Sequence, residues 1–146
     1  MKRWFRRFGM LVALLVAARM GAAFVWPTIN DVKTGATPQY ADLQPQRFPQ
    51  PYDRVFDAAV ATAESLGWQV TRTDREHGVI EAVATTAIWH FKDDVAITVG
   101  QAGAEASVDV RSHSRIGKGD LGTNARRIRR FQGELASRLG GSSTPT

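Results

Sequence analysis

The most informative pattern of hydrophobic and polar positions runs from residue 106 to residue 139. Residues 106–115 alternate between small or apolar side chains and charged or polar ones, which is typical of a strand covered on one face. Glycines punctuate residues 117–122, and apolar residues then recur at spacings of three and four, which predicts an amphipathic helix. The apolar stripe of this helix comprises Leu121, Ala125, Ile128, Phe131, Leu135 and Leu139. The pattern therefore predicts a strand, a glycine-rich loop and a helix, and we expect functional residues at their junction.

The residues upstream of this stretch predict a second helix and three further strands. Apolar residues recur at helical spacing from Tyr52 to Leu66, and Gly67 ends the helix. Residues 68–86 form two runs rich in strand-forming residues around a turn, and residues 95–114 form a second such pair. The predicted fold class is α+β: a helix, a four-stranded antiparallel sheet made of two hairpins, and a second helix. Both helices are expected on one face of the sheet, which is a helix-grip-like layout.

Residues 1–26 have the pattern of an N-terminal membrane segment. Four cations precede an apolar run from Phe8 to Trp26, which as a helix would be about 28 Å long and close to the thickness of a bilayer's hydrocarbon. Arg19 within the run costs about 2.5 to 3.5 kcal/mol. A signal peptide is the alternative, since Gly21 to Ala23 fits a cleavage site. We expect a single-pass inner-membrane protein whose C-terminal domain lies in the periplasm or, after cleavage, a protein secreted to the periplasm.

Composition divides the rest of the chain into three parts. Most of the chain's 6 prolines lie in residues 27–51, which predicts a semi-extended tether, part of which can lie along the edge of the sheet. Residues 52–139 carry the helical and alternating patterns and form the predicted folded domain. Residues 140–146 are small and polar and are expected to be a disordered tail.

The junction between the last strand and the last helix allows two interpretations. Its backbone amides and cations could bind a phosphate or carboxylate, and the candidate residues are Arg111, Ser114, Arg115, Gly117, Lys118, Gly119, Gly122 and Asn124. In the structural interpretation Asp120 caps the helix by accepting from the amides of Gly122 and Thr123. Asn124 then lies on the buried side with Ser112 or Ser114 as a partner, and the arginines pair with Asp93, Asp94 or Asp109.

Composition and motif spacing make an enzyme unexpected. The chain has no cysteine, which excludes disulfides, thiolate metal ligands and thiol catalysis. The residues His90, His113, Asp93 and Asp94 lack the spacing of a metal site. The glycine loop matches neither a P-loop nor a dinucleotide fingerprint. We therefore expect no cofactor, no metal and no catalytic residues.

The basic residues and the aromatic residues of the domain suggest partners. The net charge is +5, and Arg126, Arg129 and Arg130 share one helix face, which is either solvated or in contact with anionic lipid headgroups. Nucleic acid is not an expected partner of an exported domain. Trp89 and Phe91 are either core residues or an exposed aromatic patch for a protein partner.

The central motif resembles a known family. The run VDVRSHSRIGKGDLGTNARRIRRF, with IEAVATTAIWHFKDDVAITV and INDVKT upstream, is similar to the bacterial family catalogued as domain of unknown function 1499, and the likeness covers residues 29–139. Two positions depart from the family pattern: His113, where a small residue is usual, and Gly119, where serine is usual. The resemblance implies an envelope-associated domain with no established activity and no catalytic residues to carry over.

Two functional hypotheses follow. The first is a non-enzymatic envelope domain that binds a protein partner or anionic lipid headgroups through its open sheet face and basic helix. The second is a domain that binds or hydrolyses a small anionic molecule with the Arg111 to Asn124 loop. A pocket between the sheet and the loop lined by Arg111, Ser114, Arg115 and Asn124 favours the second hypothesis, whereas a loop filled by its own ion pairs favours the first.

Overall fold

The computed structural model describes Met10, Val12 and residues 28–87, 90–141 and 144–145. The predicted membrane anchor or signal peptide, residues 1–26, lies outside the described residues apart from Met10 and Val12, and Trp89 lies outside them as well. Among the helices of the described part, none combines the length and the apolar character needed to cross a bilayer.

The fold class is α+β, as predicted, and residues 28 onward of the described chain form two α-helices and an antiparallel sheet. The elements in chain order are β1 (Asp31–Lys33), a 3-10 turn (Pro38–Tyr40), β2 (Gln46–Phe48), α1 (Tyr52–Ser65), β3 (Gln69–Asp74), β4 (Val79–Thr85), β5 (Lys92–Ala102), β6 (Glu105–Ser114), α2 (Thr123–Arg138) and β7 (Thr144–Pro145). The sheet order is β3-β4-β5-β6-β2-β7, and β1 also pairs with β6. Strands β3 to β6 are the two predicted hairpins.

The sheet has more strands than the four predicted, because the proline-rich segment contributes β1 and β2. Both pair antiparallel with β6, β1 opposite residues 111–113 and β2 opposite residues 106–108. Val32 and Phe48 are fully buried, so these short strands cover the edge of β6 and also fill the core. The described prolines of this segment, Pro38, Pro45, Pro49 and Pro51, lie outside both strands, so no proline removes a backbone donor from β1 or β2. Two residues of the predicted disordered tail, Thr144 and Pro145, pair with β2 as β7.

The core lies between one face of the sheet and the two helices. Buried residues alternate along β4, β5 and β6, so that one face of each strand is covered and the other is open. The two helices contact each other and the sheet. Phe131 of α2 is fully buried and stacks on Trp68 with ring centroids 5.4 Å apart. This packing fixes α2 against the covered face and sets the position of the loop before it.

Candidate functional site

The glycine-rich loop lies at one end of the sheet, together with two other connections. In the register of β5 and β6, Asp93 is opposite Ser114, so β5 begins where β6 ends. Asp31 of β1 is opposite His113, so the chain also enters the described domain at this end. We call this region, which contains residues 28–30, 86–91 and 115–122, the loop end of the sheet. The far end carries the β5–β6 turn and the start of α1.

Hydrogen bonds fasten the entering chain to the glycine-rich loop. The side-chain amide of Asn30 donates to the carbonyl oxygen of Gly117 at 2.6 Å. The Asn30 carbonyl accepts from the backbone amide of Ser114 at 2.7 Å, and the Ile29 carbonyl accepts from the amide of Asp120 at 3.1 Å. The entry point of the chain is therefore a fixed part of the loop end.

A buried polar cluster, which we call the Asn124 network, lies behind the loop and comprises Asp93, Ser112, Ser114, Asn124 and Arg127. The Asn124 side chain accepts from the Ser112 hydroxyl at 2.6 Å and donates to the Ser114 Oγ at 2.9 Å. Arg127 donates to Asn124 Oδ1 at 2.7 Å and to the Asp93 carboxylate at 2.5 Å. The side chains of Arg127 and Asp93 are only 9% and 3% exposed. These contacts assign the cluster a scaffolding role, because its groups satisfy one another.

Arg127 is the member of this network that sequence analysis did not identify. The sequence pattern assigns Arg126, Arg129 and Arg130 to one basic face and gives Arg127 no position, although Arg127 follows Asn124 by three positions and therefore lies on the same side of the helix. From that spacing and the buried position of Asn124, the position of Arg127 could have been predicted. Its partner Asp93 starts β5, and only the strand register places the two together.

Asp120 occupies the backbone amides that precede α2. Its carboxylate accepts from the amide of Gly122 at 2.8 Å and from that of Asn124 at 2.6 Å. The predicted hydrogen bond from the Thr123 amide to the Asp120 carboxylate does not form. The Thr123 amide donates to the backbone carbonyl of Asp120 instead, at 3.0 Å. A carboxylate of the chain itself thus takes the place that an external anion would need at these amides.

Arg111 and Arg115 lie on the open face of the sheet, each paired with a carboxylate. Arg111 binds Asp31 through two bonds of 2.9 and 2.5 Å, and Arg115 binds Asp94 with its shortest bond at 2.6 Å. Hydrogen bonds from these arginines hold the pKa values of Asp31 and Asp94 below their usual range. Both arginines line a groove of about 560 Å³ on this face. Their charge is already compensated there.

The eight candidate anion-binding residues do not converge on one cavity. The two arginines are on the open face, Ser114 and Asn124 are buried on the covered face, and Gly122 begins α2. Gly117, Lys118 and Gly119 lie in the exposed loop between these sites. Within the described residues, no group of three or more histidine, aspartate or glutamate side chains is arranged to hold a metal ion.

Replacing Arg111 by alanine is expected to lower the free energy of unfolding by about 0 to 1 kcal/mol, because its ion pair with Asp31 is exposed. The lowered pKa of Asp31 contributes stability above the pKa of the unfolded chain, and this contribution disappears as the pH falls through the folded pKa. The difference between wild type and Arg111→Ala should therefore be present at neutral pH and absent in strong acid. Urea unfolding followed by circular dichroism at both pH values measures it, and a loss of several kcal/mol would show that Arg111 is part of the scaffold.

The loop end also carries exposed apolar side chains. Phe91 is 44% exposed, Ile116 62% and Leu121 61%, and among the described residues from 28 onward these are the large hydrophobic side chains that are classed as exposed. Leu121 also has a positive φ of 51°, which costs a residue other than glycine about 1 kcal/mol or more.

Cations surround these apolar side chains. Lys92, Lys118 and Arg126 are exposed, and none of them forms an ion pair with a described residue. The Arg126 guanidinium donates to the Leu121 carbonyl at 2.9 Å, which places one cation directly beside an exposed leucine. The loop end thus combines apolar side chains with uncompensated positive charge.

Comparison with known families finds one match. A family model described as "Protein of unknown function (DUF1499)" matches residues 23–135, which include β1 to β6 and most of α2. No curated protein matches the chain.

Proposed function

Since the chain belongs to the DUF1499 family of proteins of unknown function, we propose on physical grounds that its domain is a non-enzymatic module that docks on an anionic membrane surface through the loop end. The observation that carries this proposal is the segregation of exposed large hydrophobic side chains. Phe91, Ile116 and Leu121 all lie at this one end, beside cations that have no carboxylate partner among the described residues. Apolar side chains mixed with cations are typical of surfaces that insert into the headgroup region of anionic bilayers.

The position of the chain entry supports the same proposal. In this proposal residues 8–26 span the inner membrane, or a signal peptide is cleaved at Gly21 to Ala23, and the domain lies in the periplasm. The chain enters the described domain at Thr28, and Gly119 of the loop lies against it. An anchor ending near Trp26 would therefore hold the loop end close to the bilayer, with the far end of the sheet pointing away.

The energies expected of this contact suit a tethered domain. Partial burial of two aliphatic side chains contributes less than the roughly 1.5 to 3 kcal/mol of full burial for each. Each cation close to the surface contributes about 1 kcal/mol. The sum of these favourable free energies offsets little more than the translational and rotational entropy that a free domain loses on docking. A tether that keeps the domain near the surface raises its effective concentration and makes docking persistent.

The alternative of a small-anion or hydrolytic site at the Arg111 to Asn124 loop has less support. Asp31 and Asp94 compensate the two arginines, and Asp120 fills the loop amides. A protein partner on the open sheet face is the other alternative, and the helix-grip-like layout is an analogy that concerns the fold rather than the function.

Fluorescent labelling of the full chain tests the proposal, because the chain has no cysteine and one introduced cysteine gives a unique label. Gly119→Cys places the label at the loop end, where an added Cβ meets Thr28 at an ordinary distance of 3.6 Å. Ala104→Cys, in the β5–β6 turn, is the matched position at the far end. In vesicles containing phosphatidylglycerol we expect a blue-shifted emission for the loop-end label and a water-like emission for the far-end label. Water-like emission from both would contradict docking.

Two sets of variants separate the apolar and charged contributions. The double variant Ile116→Ser and Leu121→Ser should weaken docking about tenfold, because it removes the inserted apolar area. Lys118→Glu should weaken it on anionic vesicles, with little effect on neutral ones. Arg54→Glu, an equal change of charge on an exposed residue at the start of α1, is the control and should dock as wild type does. If the loop-end label is protected in native envelopes but not in lipid vesicles, the partner is a protein.

A further inference from the structure

A pocket of about 310 Å³ lies between the C-terminal end of α1, the end of β4 and the first turns of α2. Trp68 and Thr85 line it from the sheet side, and Thr123, Arg126, Arg127 and Arg130 line it from α2. Its volume is at the small end of the range for ligand pockets. Three arginines therefore line one concave site that is distinct from the groove on the open sheet face.

The charge of this pocket is not compensated. Its lining contains three arginines and, among the described residues, no aspartate or glutamate. Asp93, which does not line the pocket, forms an ion pair with Arg127. Two of the three arginines therefore remain without a counter-charge from the described residues. Arg126 donates to a carbonyl and a hydroxyl, which are both neutral groups, and Arg130 has no ion pair or hydrogen bond with a described residue.

Four arginines elsewhere in the domain are paired with carboxylates. Arg75, Arg111, Arg115 and Arg129 each form an ion pair with an aspartate. The contrast matters because like charges placed together in a partly enclosed site repel one another, and they lower stability unless an anion binds between them. The pocket is where the described domain collects positive charge without supplying its own carboxylate.

The chemistry of the lining selects the kind of anion. Guanidinium groups match the oxygen atoms of phosphate in pairs of parallel hydrogen bonds. Arg126 is held in place by the Leu121 carbonyl at 2.9 Å and the Thr123 hydroxyl at 3.2 Å, so it is oriented before a ligand arrives. Trp68 offers an apolar wall for the carbon atoms next to a phosphate. We propose that this pocket binds the phosphate group of a small phosphate ester or of a phospholipid headgroup.

The lipid source of this phosphate rests on the proposed membrane docking, whereas the soluble source does not. The pocket adjoins the loop end, since its lining includes Ala87, together with Thr85 and Gly67. Docking would bring headgroups within reach of this position. A headgroup in the pocket would add a specific contact to an otherwise nonspecific electrostatic attraction. A soluble phosphate ester would reach the same arginines from solvent.

The test uses the full chain in nonionic detergent, with Trp4, Trp26 and Trp89 replaced by phenylalanine so that Trp68 is the fluorescent reporter in the pocket. Titration with glycerol 3-phosphate is expected to change its emission in a saturable way, whereas sodium chloride at equal ionic strength is not. A parallel titration in nanodiscs compares phosphatidic acid, which carries a phosphate monoester, with phosphatidylcholine. Saturation by glycerol 3-phosphate alone assigns a soluble source, and saturation by phosphatidic acid alone assigns a lipid source. Either result supports phosphate binding in the pocket. If neither compound gives a saturable change, the proposal is overturned.

Matched variants attribute the signal to the pocket. Arg130→Gln should weaken phosphate binding by about tenfold or more, since it removes a charge-assisted contact. It should not lower the melting temperature, because Arg130 is exposed and its loss relieves repulsion among the arginines. Arg129→Gln, one position away and paired with Asp42, is the control and should bind as wild type does. Equal binding by Arg130→Gln and wild type would overturn the proposal. The Gly119→Cys label, measured in the Arg130→Gln chain, reports membrane docking separately, so the two proposals fail independently.

Discussion

Replacing Asp93 by alanine is expected to lower the free energy of unfolding by about 3 to 5 kcal/mol, because it leaves the Arg127 guanidinium buried without a counter-charge. Arg127 is 9% exposed and makes its remaining bonds to the neutral groups of Ser112 and Asn124. Neither neutral group replaces a carboxylate. Equilibrium unfolding in urea, followed by circular dichroism, gives the value directly.

Two comparisons make this prediction specific. Asp42→Ala breaks an arginine pair of similar length in which both side chains are about half exposed, and it should cost about 0 to 1 kcal/mol. The double variant Asp93→Leu and Arg127→Leu removes both charges, and it should be more stable than Asp93→Ala because no unpaired charge remains. If Asp93→Ala costs no more than Asp42→Ala, the pair is not the buried scaffold that its exposure indicates.

Replacing Asn124 by alanine is expected to lower the free energy of unfolding by about 3 kcal/mol, the upper end of the cost of buried groups left unsatisfied. The side chain of Asn124 bonds to Ser112 and Ser114 of β6, to Arg127 and to the carbonyl of Asn30, the last at 3.0 Å. Its loss would therefore weaken the link between the entering chain, the last strand and α2. Native-state hydrogen exchange should show that the amide of Ser114 loses protection together with the global loss of stability.

The matched comparison for Asn124 is Asp120→Ala, which removes the two bonds that hold the start of α2. Its expected cost is about 0.5 to 2 kcal/mol, as for other capping residues, so it should unfold at a higher urea concentration than Asn124→Ala. The reverse order would mean that the capping contact, rather than the Asn124 network, secures the loop end.

The sequence patterns predicted the main elements of the fold because both periods are strong in this chain. The alternation in residues 95–99 and 106–115 separates small and apolar from charged or polar side chains, and the stripe of α2 places Asn124 among buried positions. From those two periods it followed that Asn124 faces the serines of β6. The side that a residue faces is a local property, and local pattern is sufficient to determine it.

The features that sequence analysis did not identify depend on contacts between distant parts of the chain. β1 and β2 are three residues each, too short to show an alternation, and they are strands because β6 offers them an unpaired edge. The pair of Asp93 and Arg127 depends on where β5 begins relative to β6, which the register determines. The pocket beside Arg130 requires the ends of three elements to meet, and no spacing along the chain encodes that meeting.

The pairing of β1 with β6 also determines when the domain can finish folding. Asp31 and its partner Arg111 are 80 residues apart in the chain, so the first strand to be synthesised pairs with the last long one. Closing so long a loop is slow, since its entropy is lost before the contact forms. The hairpin of β3 and β4 and the following hairpin of β5 and β6 can form from neighbouring residues, whereas β1 can pair only after β6 has been made. Until β1 docks, the edge of β6 is open to pairing with another chain. The nascent domain is therefore most prone to aggregate just before β1 docks.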